Sequence, residues 1–443
     1  MKKFVVALIA LLLVGQFVFA NGQQETAEKA SGPVTIVMWH SMSGKMGEAL
    51  KTLADNYNAT KTDYQIELQY QGSYSDALTK YKSTAKADLP DLFMCQAEST
   101  GYMIGSGTAY PIQNFIDRDK FDISILEPDL INYYTVDGKL MNLGFGRSIV
   151  GIIYNVDALA AAGYSDPYAQ LKTWDDVLEA SGKIVDKGLC EYGVALWPSG
   201  WPFEFFAGVA GKEIVDSGNG RNGKVTKSII DENGLGVEWF SFIRKFQQAK
   251  GALTEYTAGG DYLTALGSGQ LAMLQVTSSN ISTIAAAADG KFKVGFLPYP
   301  APSKDSKGGL SVGGNSTWII DTGKNAKMEG AWDWVKFCLE FDNVLQWSKD
   351  TGYAAITTEV CNSQEYHDVY ADICPTIFDG IDALRKCPAK YEGAFMPIFD
   401  KHRNLMWTEI QRILNDSAYT PEQATASFVS AVNQEFELYN ATN

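Results

Sequence analysis

Apolar positions follow two periods along this chain, and the two alternate. Val34-Thr35-Ile36-Val37-Met38-Trp39 is apolar and rich in β-branched residues, which predicts a strand. After His40-Ser41-Met42-Ser43-Gly44, the residues Met46, Leu50, Leu53 and Tyr57 fall at helical spacing and leave one apolar stripe. Tyr64 to Tyr70 alternates as a second strand. Gln71-Gly72-Ser73-Tyr74 then turns into a helix carrying Leu78 and Tyr81, and Leu92-Phe93-Met94-Cys95 predicts a third, buried strand. This β-α-β-α-β order predicts a parallel sheet with helices on both faces.

A second series starts at the strand-like run Ser148 to Asn155. Thr173-Trp174-Asp175-Asp176 has the form of a capping box and opens a helix through Ile184. An aromatic helix from Val237 to Gln248 follows the turn at Asn233-Gly234. Further strands are expected at Leu271–Val276, Lys293–Leu297 and Thr317–Ile320, and the tail from Ala331 is mostly helical. At 443 residues, two α/β lobes fit better than one oversized sheet.

Residues 1–20 break both periods. Lys2 and Lys3 precede an apolar run from Phe4 to Leu13, and Val18 and Ala20 sit at −3 and −1 of a cleavage site, so this is a secretory signal. The run is too short for the ~20 apolar residues of a membrane span, and Gln16 interrupts it. Residues 21–32 are a polar, flexible leader. No later segment reaches spanning length.

Composition narrows the function. The net charge of −15 argues against nucleic acid or an anionic lipid surface as partner. Aromatic residues make up 12%, which suits a protein that stacks rings on a flat ligand. Six cysteines (Cys95, Cys190, Cys338, Cys361, Cys374, Cys387) form no C-x-x-C pair. In an oxidising compartment the last three permit one local bridge, while buried free thiols suit Cys95 and Cys190 equally.

Catalytic patterns mostly fall away. Gly218-Asn219-Gly220-Arg221-Asn222-Gly223-Lys224-Val225 lacks the Ser or Thr that a phosphate-cradling loop needs for magnesium. Gly309-Leu310-Ser311-Val312-Gly313 matches a nucleophile elbow, but the chain after it continues as β where a helix is required. Three histidines (His40, His367, His402) and no Cys/His cluster leave no metal site. A glycosidase stays open as a second class, because sequence cannot place two carboxylates ~5–9.5 Å apart.

Trp197-Pro198-Ser199-Gly200-Trp201-Pro202-Phe203 is too rich in proline for a helix or central strand, which puts two tryptophans on an irregular loop. A carbohydrate cleft needs such aromatic platforms beside groups that pair hydroxyls. Ordinary packing between elements is the other reading of the pair.

Five stretches in order carry a resemblance. They are Trp39-His40-Ser41-Met42-Ser43-Gly44, Gly72-Ser73-Tyr74, Ile153-Tyr154-Asn155 before Thr173-Trp174-Asp175-Asp176, Gly269-Gln270-Leu271-Ala272-Met273, and Trp347 with Asp350-Thr351-Gly352-Tyr353. Together they resemble the family 1 extracellular solute-binding proteins of ABC importers, in the branch of glycerol-3-phosphate and maltose-like oligosaccharide receptors. The resemblance implies an α/β fold of two lobes, each a mostly parallel sheet flanked by helices, joined by crossing hinge strands. The first lobe would hold 33–148 and 285–316, the second 149–284 and 317–443. Ligand would sit in the cleft between them.

Carried over position by position, the resemblance makes Tyr74, Glu98, Ser148, Trp197, Trp201, Thr277, Ser278, Gly314 and Tyr353 ligand-binding residues. It departs after Met396-Pro397, where the glycerol-phosphate branch has an arginine and this chain has Asp400. An Asp repels a phosphate dianion and suits hydroxyls, with Arg403 or Arg147 as the replacement a phosphate would need. The resemblance thus implies a monomeric periplasmic or extracellular receptor that passes a carbohydrate to ABC permease subunits, without cofactor, metal or catalysis. Glycerol-3-phosphate or a glycerophosphodiester is the alternative ligand.

Overall fold

A computed structural model describes residues 32–256, 258–388 and 393–442. The expected signal segment and all of the leader but Gly32 lie outside them. Residues Val34–Asn443 form one compact unit.

Among the described residues, twelve strands build two five-stranded sheets and a small hairpin. They are β1 (Val34–His40), β2 (Tyr64–Tyr70), β3 (Leu92–Gln96), β4 (Thr135–Val136), β5 (Lys139–Leu140), β6 (Leu143–Ser148), β7 (Val150–Asn155), β8 (Tyr192–Ala195), β9 (Ala252–Leu253), β10 (Leu271–Thr277), β11 (Val294–Pro298) and β12 (Gly313–Ile319). The first sheet has the order β2-β1-β3-β12-β6, the second β11-β7-β10-β8-β9, and β4 pairs with β5. Helices pack on both sheets, as the alternating pattern predicts.

Each sheet is half parallel. β1 pairs in parallel with β2 and β3, and β8 with β9 and β10. β12 runs antiparallel to β3 and β6, and β7 runs antiparallel to β10 and β11. The mostly parallel expectation therefore holds only for the β-α-β segments. The antiparallel strands are those that arrive from the other sheet.

The run Ser148–Asn155 is two strands. β6 ends at Ser148 in the first sheet, Ile149 crosses over, and β7 begins at Val150 in the second. Strand membership departs from the expected division twice. β11, expected in the first lobe, is paired to β7 of the second sheet. β12 and the helices Asn325–Cys338 and Phe341–Thr351 belong with the first sheet, since these helices pack on β1 and on the helix Gly44–Thr60. A five-residue strand such as Val294–Pro298 carries no sign of which sheet it joins.

Local signals account for the helix starts nearest the site. Ser73 and Asp76 form a reciprocal capping box before the helix Tyr74–Ser83, and Thr173 and Asp176 form another before Trp174–Asp186. The tryptophan loop is shorter than its prolines suggest. Pro202 opens the helix Pro202–Ala210, where its missing N–H costs nothing.

The cysteines form no local bridge between Cys361 and Cys374, which are separate buried thiols, as are Cys95, Cys190 and Cys338. Cys387 Sγ donates to the Pro388 carbonyl. Among the described residues, no helix is long and apolar enough to cross a membrane, and no His/Cys/Asp/Glu group could hold a metal.

Candidate functional site

The ends of strands from both sheets meet around a cavity of about 560 Å³. That volume suits a small organic ligand. From the first sheet come Gln96 at the end of β3, Glu98 in the turn after it, Ser148 at the end of β6 and Gly314 in β12. From the second come Thr277 at the end of β10 and Ser279 and Asn280 behind it. Trp197, Ser199 and Trp201 follow β8 on the irregular loop. Tyr74 opens its helix on one wall, and Tyr353 follows the helix Phe341–Thr351 on another. Asp400, Arg403 and Asn404 share the helix Phe399–Asn415.

Nine of the ten residues expected at the site thus line one cavity: Tyr74, Glu98, Ser148, Trp197, Trp201, Thr277, Gly314, Tyr353 and Asp400. Ser278 does not. It is 1% exposed, and its hydroxyl accepts from the Ile149 N–H at 3.0 Å, which ties the end of β10 to the crossing point. Its neighbours Thr277 and Ser279 face the cavity and hydrogen-bond each other at 2.7 Å. Ser73, Gln96, Ser199, Asn280 and Asn404 also line the cavity and were not among the expected ligand residues. They are short polar residues at strand and helix ends, and only the fold brings them together.

Ser148 Oγ is buried and has no hydrogen-bond partner among the described residues, and the buried Tyr74 hydroxyl lies beside Tyr353 and Asn315. Burial pushes the phenols of Tyr74 and Tyr353 up, so both are neutral donors. Tyr353 stacks on Trp347 at 6.1 Å, which fixes the ring plane. Gly314 has φ +107°, and a Cβ there would lie 1.7 Å from the Gly146 carbonyl oxygen, so no side chain fits. Trp197 is half-buried and its ring lies against Gly259, while Trp201 meets Phe205 edge-on at 5.0 Å.

The charged floor is a network. Arg403 Nη2 donates to Glu98 at 2.7 Å, and Arg403 Nε donates to Glu204 at 2.6 Å, with a second bond to Glu204 at 2.8 Å. Arg403 Nη1 reaches Gln96 Oε1 at 3.3 Å, and Gln96 Nε2 donates to Asp400 at 3.4 Å. Burial alone would lower the Arg403 guanidinium, but the two carboxylates more than offset it and hold it charged. Burial pushes the Glu204 and Asp400 carboxyls up, against the pull of nearby cations. Arg403 lies one turn beyond Asp400, hence on the same helix face.

Arg147 is not a cleft residue. It is fully buried, bonded to Asp129 at 2.6 and 2.9 Å, to Glu127 at 3.0 Å and to the Ala355 carbonyl at 2.9 Å. Of the two arginines considered for a phosphate, only Arg403 reaches the cavity.

Comparison with known proteins agrees with this architecture. A family model described as bacterial extracellular solute-binding protein matches residues 52–371. The sn-glycerol-3-phosphate-binding periplasmic protein UgpB of Yersinia enterocolitica is 27% identical over 421 residues, covering 92% of this chain and 93% of that protein. UgpB of Escherichia coli O1:K1 is 27% identical over 96% of this chain and 95% of its own length. Among solved structures, the cyclic α-maltosyl-1,6-maltose binding protein of Arthrobacter globiformis superposes with a TM-score of 0.72 at 22% identity, over 91% of this chain and 99% of that one. The sugar-binding protein MalE of Xanthomonas citri gives 0.73 at 16% identity, over 92% and 99%. These likenesses concern the two-sheet α/β fold.

Proposed function

The chain belongs to the bacterial extracellular solute-binding protein family, and from that premise we propose that it is an exported receptor that captures a carbohydrate and hands it to an ABC importer. The family binds solutes and does no chemistry on them, so the glycosidase reading lapses. The observation that carries the ligand class is the pairing of tryptophan walls with hydroxyls at Tyr74, Thr277, Ser279 and the buried, unpartnered Ser148. A pyranose offers apolar ring faces to the first and hydroxyls to the second.

We take the lobes to be 34–148 with 313–351, and 150–298 with 399–442. Closure about Ile149 and the segment between β11 and β12 would bury the ligand. A monomer suffices for this task.

Glycerol-3-phosphate is the second reading, and Arg403 favours it, because a guanidinium on the cavity wall is the group a phosphate seeks. Against it, both faces of that fork are already taken by Glu98 and Glu204, and Asp400 stands beside it. A thermal-shift screen of saccharides and glycerol phosphates separates the two. A ligand at 100 times its Kd adds about 2.7 kcal/mol of stability, which raises the Tm. Stabilisation by a saccharide, with no turnover, supports the receptor. Stabilisation by glycerol-3-phosphate alone replaces the first reading with the second.

A further inference from the structure

Three carboxylates gather around Arg403 at the base of the cleft. Arg403 serves two of the carboxylates, Glu98 and Glu204. The third is Asp400. Lys82 acts on Asp400 from the helix Tyr74–Ser83 but makes no ion pair with it, and its ammonium sits 4.6 Å over the Tyr102 ring. Lys401, next to Asp400, is paired with Glu435. Among the described residues, the one hydrogen bond Asp400 receives is the 3.4 Å contact from Gln96.

A carboxylate that is half-buried and so thinly partnered is costly unless a further donor meets it. Asp400 is the carboxylate of the three that makes no ion pair among the described residues, and it stands on the cavity wall. Ser148 Oγ, on a residue 1% exposed, lines the same cavity without a partner, so the space is furnished for a ligand rather than for solvent alone. The tryptophan walls, Trp197 and Trp201, also attract cations through their ring faces.

We infer that the saccharide this cleft is built for carries a protonated amino group, and that Asp400 is the residue that selects it. This deepens the receptor reading and rests on it. A charged acceptor facing an ammonium adds attraction that a hydroxyl cannot supply. Arg403 cannot take over this role, since it repels a cation and is already engaged.

The test is titration calorimetry on the mature chain with matched sets of mono- to tetrasaccharides. Each set holds an amino sugar, its N-acetylated form and its plain hydroxyl parent, and includes glucosamine, galactosamine and the β-1,4-linked glucosamine oligomers. The expected result is that an amino sugar binds at least tenfold tighter than both partners of its set, and that this margin shrinks with added salt. In Asp400→Asn, with an unchanged circular dichroism spectrum, the margin should fall to threefold or less. Preference for a neutral or N-acetylated member overturns the inference and leaves the carbohydrate receptor standing. A margin that persists in Asp400→Asn overturns the role of Asp400. Failure of every sugar to bind, charged or neutral, overturns both the inference and the reading beneath it.

Discussion

Arg403 joins the two halves of the cleft through Glu98: its Nη2 lies 2.7 Å from the carboxylate that follows β3 of the first sheet. The helix that carries Arg403 packs with Leu235–Gln248 and Pro421–Thr442, on the side of the second sheet. The same guanidinium holds Glu204, so one side chain links the strand end, the tryptophan-loop helix and the C-terminal helices.

Removing that link should be expensive. Arg403→Leu leaves Glu98 and Glu204 near each other without a counter-charge, and since these side chains keep 13–15% exposure the cost falls at the low end of the about 3–5 kcal/mol of a fully buried pair. Urea unfolding measures the loss. The double variant Arg403→Leu/Glu204→Leu should recover a large part of it, because one stranded carboxylate is gone. A single-variant loss under about 1 kcal/mol would show that the network is loose.

Trp201→Ala should weaken ligand binding by roughly 1–3 kcal/mol and leave the Tm within a few degrees. Trp197→Ala should lose both affinity and stability, since that ring is also packed against Gly259. Calorimetry with the ligand found in the screen, beside thermal unfolding, reads both effects. Unchanged affinity in both variants would make the pair ordinary packing.

His402 predicts a pH dependence. It is fully buried between Phe203 and Phe428, both ring nitrogens lack partners among the described residues, and burial brings its pKa from 6.5 down to about 3. The unfolded chain binds a proton below about pH 6.5 that the folded chain refuses, so folding stability falls as pH drops from there towards 3. The slope from this one group is at most about 1.4 kcal/mol per pH unit. His402→Leu should flatten the curve by that amount between pH 6 and 4 in urea unfolding. An identical slope in both proteins would contradict the assignment.

Much of this was legible in the chain. β1, β2, β3 and β10 stood out because their alternation or apolar runs are bounded by turn residues, and the capping box at Thr173 and Asp176 was written in four letters. Most of the nine cavity residues came from the family resemblance, while Trp197 and Trp201 were also legible from the proline-rich loop that carries them. Ser278 could not be told from Thr277 and Ser279, since adjacent hydroxyls differ only in which way the turn after β10 directs them. β11 and β12 exchanged sheets relative to expectation, because strand pairing is decided by tertiary packing. Arg403 stayed open as a phosphate ligand, and its reach into the cavity follows from its place three residues beyond Asp400. On a helix, three residues along is the same face.

Arg147 predicts the contrast to Arg403. Arg147→Met should cost about 3–5 kcal/mol of stability through the stranded Asp129 and Glu127. It should leave ligand preference unchanged in the folded fraction, which competition binding below the Tm would measure. A switch in preference would place Arg147 in reach of the ligand.

The most direct test of the central claim is titration calorimetry of the mature protein with the saccharide that stabilises it most, run beside glycerol-3-phosphate under the same salt. A carbohydrate receptor gives one-to-one saccharide binding, weakened in Trp201→Ala, with glycerol-3-phosphate at least 100-fold weaker. Micromolar or tighter binding of glycerol-3-phosphate, with no saccharide bound, would contradict it and make Arg403 a phosphate ligand.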